Sequence, residues 1–431
     1  MPERDGRIVF TRRMKREYTL LMPQMLPVTF TMMKKVFELY GYRVDMLTST
    51  HRGIIDTGLK YVHNDTCYPA LLVIGQLIEA VNSGEYDTHK VALLITQTGG
   101  GCRASNYIHL LRRALRRAGL EYIPVVSVNL SGLERNPGFG LSLPMIRRLA
   151  AVMIYGDLLM WLNNQCKPYE TLPGTSEKLT SHWTDTLVTL FGAGRGLSKK
   201  DIWRYMSEIT AGYARIERVP ERKKRIGVVG EIYVKYAPLG NNNLEELLLS
   251  EGCEPVVPGL TDFMIFKINN RVTDVELYCG SKLKKLAAGI FQRYIEGLQR
   301  VMIDAVKTQP VFRPMGAFAE LRECVKGYLG YGNKMGEGWL LTAEMIELIH
   351  SGVSGIVCAQ PFGCLPNHVA GKGMIRKLKD DFPSSNIVAV DYDPGATRIN
   401  QENRIKLMLS NCREAENETV NANTIYVRSS K

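Results

Sequence analysis

Across 431 residues no apolar run approaches the roughly 20 residues that span a bilayer. The charged start, "MPERDGRIVFTRRMKREY", has no apolar centre and does not read as a secretory signal, so a cytoplasmic protein is expected. No two cysteines form a CxxC pair, which argues against zinc ribbons and compact ferredoxin motifs. GxxxxGK is missing, and with it the P-loop; GxSxG is missing, and with it the nucleophile elbow. Low-complexity tracts and short-period repeats are absent. "FGAGRG" at 191–196 has the glycines of a dinucleotide loop but follows a helical segment, and reads as a turn.

What remains is an ordinary globular composition, 45% hydrophobic and 23% charged, in a chain long enough for two or three domains. Nine scattered cysteines, an odd number in a chain too large to need staples, argue against a disulfide framework. Some are candidate ligands and the rest belong by default to the core, among them Cys166, Cys253, Cys279, Cys324 and Cys412. The net charge of +12 gathers in short clusters, "LRRALRRAG", "ERKKR" and "SKLKKL". On a helix, Arg112, Arg113, Arg116 and Arg117 cover a solvated face while Leu110, Leu111 and Leu115 turn inward. No aromatic interleaving or nucleic-acid motif accompanies them, so nucleic acid is disfavoured. Docking of an acidic partner, or attraction of an anionic substrate such as a CoA ester, fits the charge as well.

Apolar strands alternate with amphipathic helices. "VTFTMMKKVFELYGYRVDML" reads as a strand end, a helix from about 32 to 40, a stop at Gly41 and a strand. "HKVALLITQTGGG" is a strand breaking into glycines, and "EYIPVVSVNLSG" is another strand. The stretch 141–221 is mostly helical, and the pattern restarts with "RIGVVGEIYVKY", read as a strand. Helical regions at 284–306 and 317–329 lead to "GIVCAQPFGC", the helix "HVAGKGMIRKLKDDF" and the strand "NIVAVDYD". The expected class is α/β, with two or more doubly wound parallel-sheet (Rossmann-like) regions joined by helices. Its parts are 1–140, carrying Cys67 and Cys102; a helical connection, 141–221; and 222–431, carrying Cys358 and Cys364.

"NDTCYPALL" places Cys67 between the strand-like "GLKYVH" and an apolar helix. Such a thiol is either core filler or a thiolate favoured by a helix N-terminus. Cys102, after "VALLITQTGGG", and Cys364, after "GIVCAQPFG", have the same setting. Ligands in open α/β sheets bind beyond the carboxyl ends of strands, so three such thiols can converge. Gly99, Gly100 and Gly101 permit close backbone approach, Arg103 adds positive charge, and Asn64, Asp65, Ser105 and Asn106 are polar neighbours. Pro69 and Pro366 fit first helical turns. His63 and His368 flank two of the cysteines, and Glu231, closing "RIGVVGE", is a carboxylate at a strand end. A metal site and buried structural thiols both remain open on spacing alone.

Two long stretches, "YVHNDTCYPALLVIGQLIEAVNSGEYDTHKVALLITQTGGGCRASNYI" and "CAQPFGCLPNHVAGKGMIRKLKDDFPSSNIVAVDYDPGATRINQENRIKLML", resemble the 2-hydroxyacyl-CoA dehydratase D-component superfamily. The likeness is closer to its activase-associated and double-cubane cluster branch. "IGVVGEIYVKYAPLGNNNLEELLLSEGCEPVVPGLTDF" is similar to the central block of those proteins, and the whole covers most of residues 20–410. The resemblance implies an oxygen-sensitive protein in which three cysteines per subunit hold a 4Fe-4S cluster near a subunit interface. In double-cubane members two cubanes share a sulfide, giving an 8Fe-9S group across a dimer. Cys67 and Cys102 match the first two ligands. Cys364 is the preferred third, with Cys358 as the alternative because it lies within the apolar run "GIVCAQ". Also implied are a homodimer or related heterodimer, a separate ATP-hydrolysing activator carrying its own iron–sulfur cluster, and an acyl-CoA or small-molecule substrate. A cluster-bearing electron-transfer or assembly protein without its own substrate is the competing expectation.

Overall fold

Runs of Val, Ile and Leu without polar alternation form strands covered on both faces. The computed structural model describes residues 3–4, 7–63, 65–97, 101–128 and 134–412. A short antiparallel ribbon, β1 (Glu3–Arg4) and β2 (Arg7–Ile8), precedes two four-stranded parallel sheets. The first contains β3 (Thr19–Pro23), β4 (Arg43–Leu47), β5 (Val91–Thr96) and β6 (Val125–Val128), in the order β4-β3-β5-β6. The second contains β7 (Arg225–Gly230), β8 (Glu254–Val256), β9 (Gly355–Pro361) and β10 (Ile387–Tyr392), in the order β10-β9-β7-β8. Numbered within its own sheet, each reads 2-1-3-4. The two regions therefore share a topology, and each has its switch point between its first and third strands.

Helices α1 (Arg12–Glu17) and α2 (Pro27–Leu39) flank β3. Helices α3 (Gly53–Tyr61) and α4 (Tyr68–Asn82) link β4 to β5, and α5 (Tyr107–Arg117) links β5 to β6. The helical connection is α6 (Leu143–Cys166), α7 (Thr175–Gly192) and α8 (Lys199–Ala214). Short helices α9 (Ile232–Tyr236), α10 (Pro238–Asn241) and α11 (Leu244–Ser250) follow β7. Between β8 and β9 run α12 (Leu260–Tyr278), α13 (Lys282–Lys307), α14 (Phe318–Cys324) and α15 (Trp339–His350). Helices α16 (Leu365–Ala370) and α17 (Ile375–Asp381) precede β10, and α18 (Arg398–Asn411) follows it. Among the described residues no helix is long and apolar enough to cross a membrane.

Strand alternation sorts the core. Leu20, Met22, Ala92 and Leu94 face the helical connection, while Leu21, Leu93 and Ile95 face the other way. Ile226, Val228, Val357 and Ala359 of the second sheet join that same core, so the two sheets share it. Helix α4 lies within it: only Glu79 and Asn82 escape burial. A helix apolar on every side has no other stable place.

Four local expectations differ: "RIGVVGEIYVKY" is a strand only as far as Gly230, because the Glu231 side chain accepts from the Val234 amide and starts α9. "GLKYVH" is the end of α3 and the residues after it, not a strand. The reason is tertiary: a Cβ on Gly58 would lie 2.5 Å from the Leu71 carbonyl oxygen, and one on Gly75 would lie 2.3 Å from that of Ile54. Two glycines thus let α3 and α4 touch backbone to backbone, and this packing overrides the β-like side chains. "VTFT" is the first turn of α2, which starts at Pro27. "HVAGKGMIRKLKDDF" is broken at Gly371 into α16, a 3-10 turn and α17.

Candidate thiol-lined site

Cys102 follows β5 and Cys364 follows β9, and each of these strands is third in its sheet beside the switch point. The two cysteines therefore hold equivalent places in two like regions. Each immediately precedes a helical turn, Arg103–Asn106 for Cys102 and α16 for Cys364. Cys67 arrives differently. It precedes α4 and follows a helix rather than a strand, so two strand ends and one helix–helix turn supply the thiols. Pro69 and Pro366 occupy first helical turns as expected. Cys67 and Cys364 are buried and Cys102 is half-buried.

The two regions meet at these residues. The Tyr68 amide donates to the Phe362 carbonyl at 2.9 Å. A Cβ on Gly363 would lie 3.0 Å from the Cys67 Cα. Arg103 donates from Nη1 to the Asp65 carbonyl at 2.7 Å, tying the Cys102 turn to the segment before Cys67. Cys67 Sγ lies 2.9 Å from the Tyr107 hydroxyl. The Cys67 thiol feels Glu231 and Cys102, while the Cys364 thiol feels Glu337, Glu231 and Cys67. Glu231 follows β7, across the second switch point, and accepts from the Val234 amide at 3.0 Å.

Sequence reasoning missed the segment Asn333–Gly338. Met335 packs on Gly101, whose Cβ would lie 2.5 Å from the Met335 sulfur. Gly336 packs on Pro366, and Glu337 accepts from the Ile232 amide at 3.1 Å. Lys267 donates to the Gly336 carbonyl and lies over Phe263 and Phe266, 5.0 and 5.3 Å from the ring centres. One short segment thus touches the neighbours of Cys102, Cys364 and Glu231. Its glycines, with φ of +58° at Gly336 and +48° at Gly338, were the available signal. Tyr107 gave none.

The helix N-terminus does not ionise Cys67. Burial pushes its thiol up to about 11, against the lowering effect of the Tyr107 hydroxyl. Burial raises Cys364 as well, and the charges of Glu337 and Glu231 add to it. Burial and then the Glu337 charge raise Glu231 in turn. Desolvation outweighs the dipole because a helix end acts on an ion by no more than a few kcal/mol. A cationic group among these atoms would reverse the balance and expel the thiol protons.

Among the described residues no three His, Cys, Asp or Glu side chains are grouped to hold a metal ion. Were an iron–sulfur cluster bound here, Cys67, Cys102 and Cys364 would be the residues to hold it, each supplying a thiolate. The donor set, three thiols with a buried carboxylate beside them, fits such a group. Cys358 has no part in this arrangement. It sits inside β9 facing α15 and α17, with its Sγ 3.7 Å from Asn367 Oδ1, and burial pushes it up to about 12. His63 and His368 are exposed. Cys279 is exposed rather than core, Cys324 is half-buried, and Cys166, Cys253 and Cys412 are buried. Asn64, Gly99 and Gly100 lie outside the described residues. Neither the family models nor the curated proteins give a match to this chain.

Proposed function

We propose that the chain is the iron–sulfur catalytic component of an ATP-driven low-potential reductase or 2-hydroxyacyl-CoA dehydratase-type system, with Cys67, Cys102 and Cys364 as cluster ligands. One observation carries this reading: the segments bearing Cys67 and Cys364 are joined by the Tyr68–Phe362 backbone hydrogen bond, and Arg103 ties the turn of Cys102 to the segment before Cys67. When bound, a 4Fe-4S cluster supplies one-electron chemistry at an iron that three thiolates leave without a protein ligand. The chain does the rest. The core around α4 excludes water, Tyr107 orients Cys67, and the Glu231 carboxyl can hold a proton beside the thiols.

Phe362, Leu365 and Val369 are exposed apolar side chains beside Cys364, which supports a second subunit, identical or related, packing over the site. An 8Fe-9S double cubane across that dimer belongs to the same reading. Electrons come from a separate ATP-hydrolysing activator with its own cluster, and the acceptor is an acyl-CoA ester or a small oxidised molecule.

Anaerobic purification with iron and acid-labile sulfide analysis tests the proposal. About four of each per chain is expected, with a small sulfide excess if a bridged pair forms. A colourless protein that takes up no iron on reconstitution overturns it. If the loaded protein accepts electrons from an activator yet converts no acyl-CoA ester or small oxidant, the electron-transfer reading replaces the catalytic one.

A further inference from the structure

At the opposite end of the first sheet lies a second site, separate from the thiols. The residues preceding β4, the helix α1 and the segment 137–140 enclose a surface cavity of about 550 Å³. Arg12, Lys15 and Arg16 line it together with Tyr40, Tyr42 and Phe139. Because the strands run parallel, this amino-terminal end of β4 is a strand's length, roughly 17 Å, from the end that bears the site.

Among the described residues the charge is uncompensated. The carboxylate of α1, Glu17, accepts from Arg13 at 3.0 Å, outside the cavity. Among the described residues Arg12, Lys15 and Arg16 have no ion pair, and no acidic residue lines the cavity. Like charges three and four positions apart on a helix repel and weaken it. An anion bound between them removes that penalty.

The apolar side is prearranged. Lys15 Nζ lies 4.2 Å from the centre of the Tyr42 ring, which packs 5.3 Å from Phe139. The Tyr42 hydroxyl accepts from the Gly140 amide at 3.1 Å, and the Tyr40 hydroxyl accepts from Arg148 Nη1 at 2.9 Å. Half-buried Tyr40 and Phe139 are therefore held in place beside three cations that form no ion pair among the described residues. Cations beside fixed aromatic rings match a ligand that joins phosphates to a flat heterocycle. We propose that this cavity binds a nucleoside diphosphate, with the phosphates on Arg12, Lys15 and Arg16 and the base against Tyr40 and Phe139.

Stacking tolerates any base, so ADP serves as the probe. Equilibrium dialysis of radiolabelled ADP against the purified full chain is expected to show saturable binding. Adenosine and pyrophosphate should each compete about tenfold less well than ADP, since each supplies half of the contacts. Arg12→Glu with Arg16→Glu, both on exposed positions, should weaken ADP about tenfold or more while the melting temperature does not fall. Pyrophosphate competing as well as ADP overturns the aromatic half of the proposal. Unaltered binding in the variant places ADP elsewhere, and no saturable binding at millimolar ADP removes the site.

Discussion

The amide of Tyr68 donates to the carbonyl of Phe362 at 2.9 Å, joining two main-chain segments that are nearly 300 positions apart. Tyr68 follows Cys67 and Phe362 lies two residues before Cys364. The relative placement of the Cα atoms that carry these thiols is thus fixed by backbone. Such a bond positions a site more rigidly than long side chains can.

Gly363 makes that approach possible, with φ of +71° and its Cα facing Cys67. Gly363→Ala should cost about 1–2 kcal/mol from left-handed backbone alone, and more from the contact with Cys67. Gly352, with φ of +75° and open space around it, is the control. Gly352→Ala should lose only the backbone part. Equal losses in the two variants, read by chemical denaturation, would show that the seam is not tight.

Cys364→Ala should abolish iron retention, whereas Cys358→Ala should keep it. Cys358 faces the core beneath α15 and α17, so its substitution costs stability of about 1 kcal/mol and leaves the Cys364 thiol in place. Iron content of the two anaerobically purified variants decides the matter. A reversed result makes Cys358 the third ligand.

Lys235 and Glu344 form a buried ion pair at 2.8 Å, with side chains 5% and 3% exposed. Lys235→Met leaves a buried carboxylate unpaired and should destabilise by about 3–5 kcal/mol. Burial already raises Glu344, against the lowering effect of Lys235, so the orphaned carboxyl takes up a proton and the loss grows with pH. Lys235→Met combined with Glu344→Leu should fall close to the parent in urea unfolding. A double variant as weak as the single one would mean the pair does more than neutralise itself.

Glu134 accepts from Arg112 at 2.6 and 2.7 Å and from Arg7 at 3.3 Å, clasping β2 to α5. Burial raises its carboxyl, but Arg112, then Arg7 and His109, outweigh this and hold it below its ordinary 4.5. A depressed carboxyl contributes stability that is full above the ordinary value and is lost as pH falls through the folded value. Arg112→Ala should therefore cost about 1–3 kcal/mol at pH 7, and the deficit should shrink in acid below 4.5. A deficit independent of pH would assign it to packing.

Much of the architecture was legible because burial leaves a periodic trace. Apolar runs marked β5, β7 and β9, and Pro69 and Pro366 marked helix starts next to cysteines. The reading failed at "GLKYVH", where residue types suited to a strand form a helix because Gly58 and Gly75 meet across α3 and α4. It also missed Tyr107, Lys267 and the segment Asn333–Gly338, whose roles arise from contacts with distant parts of the chain.

The sequence by itself determined the alternation of elements, the turns at which Cys102 and Cys364 sit and the helix start beside Cys67, since these follow from hydrophobic period, glycine and proline acting over a few residues. Only the tertiary structure decided which cysteine-bearing segments touch. Whether Cys358 or Cys364 faces the seam depends on strand phase and on how two sheets share a core, and whether those thiols ionise depends on desolvation by residues far away in sequence. Local steric preferences write the first kind of information into short words, whereas burial is a property of the whole packed chain.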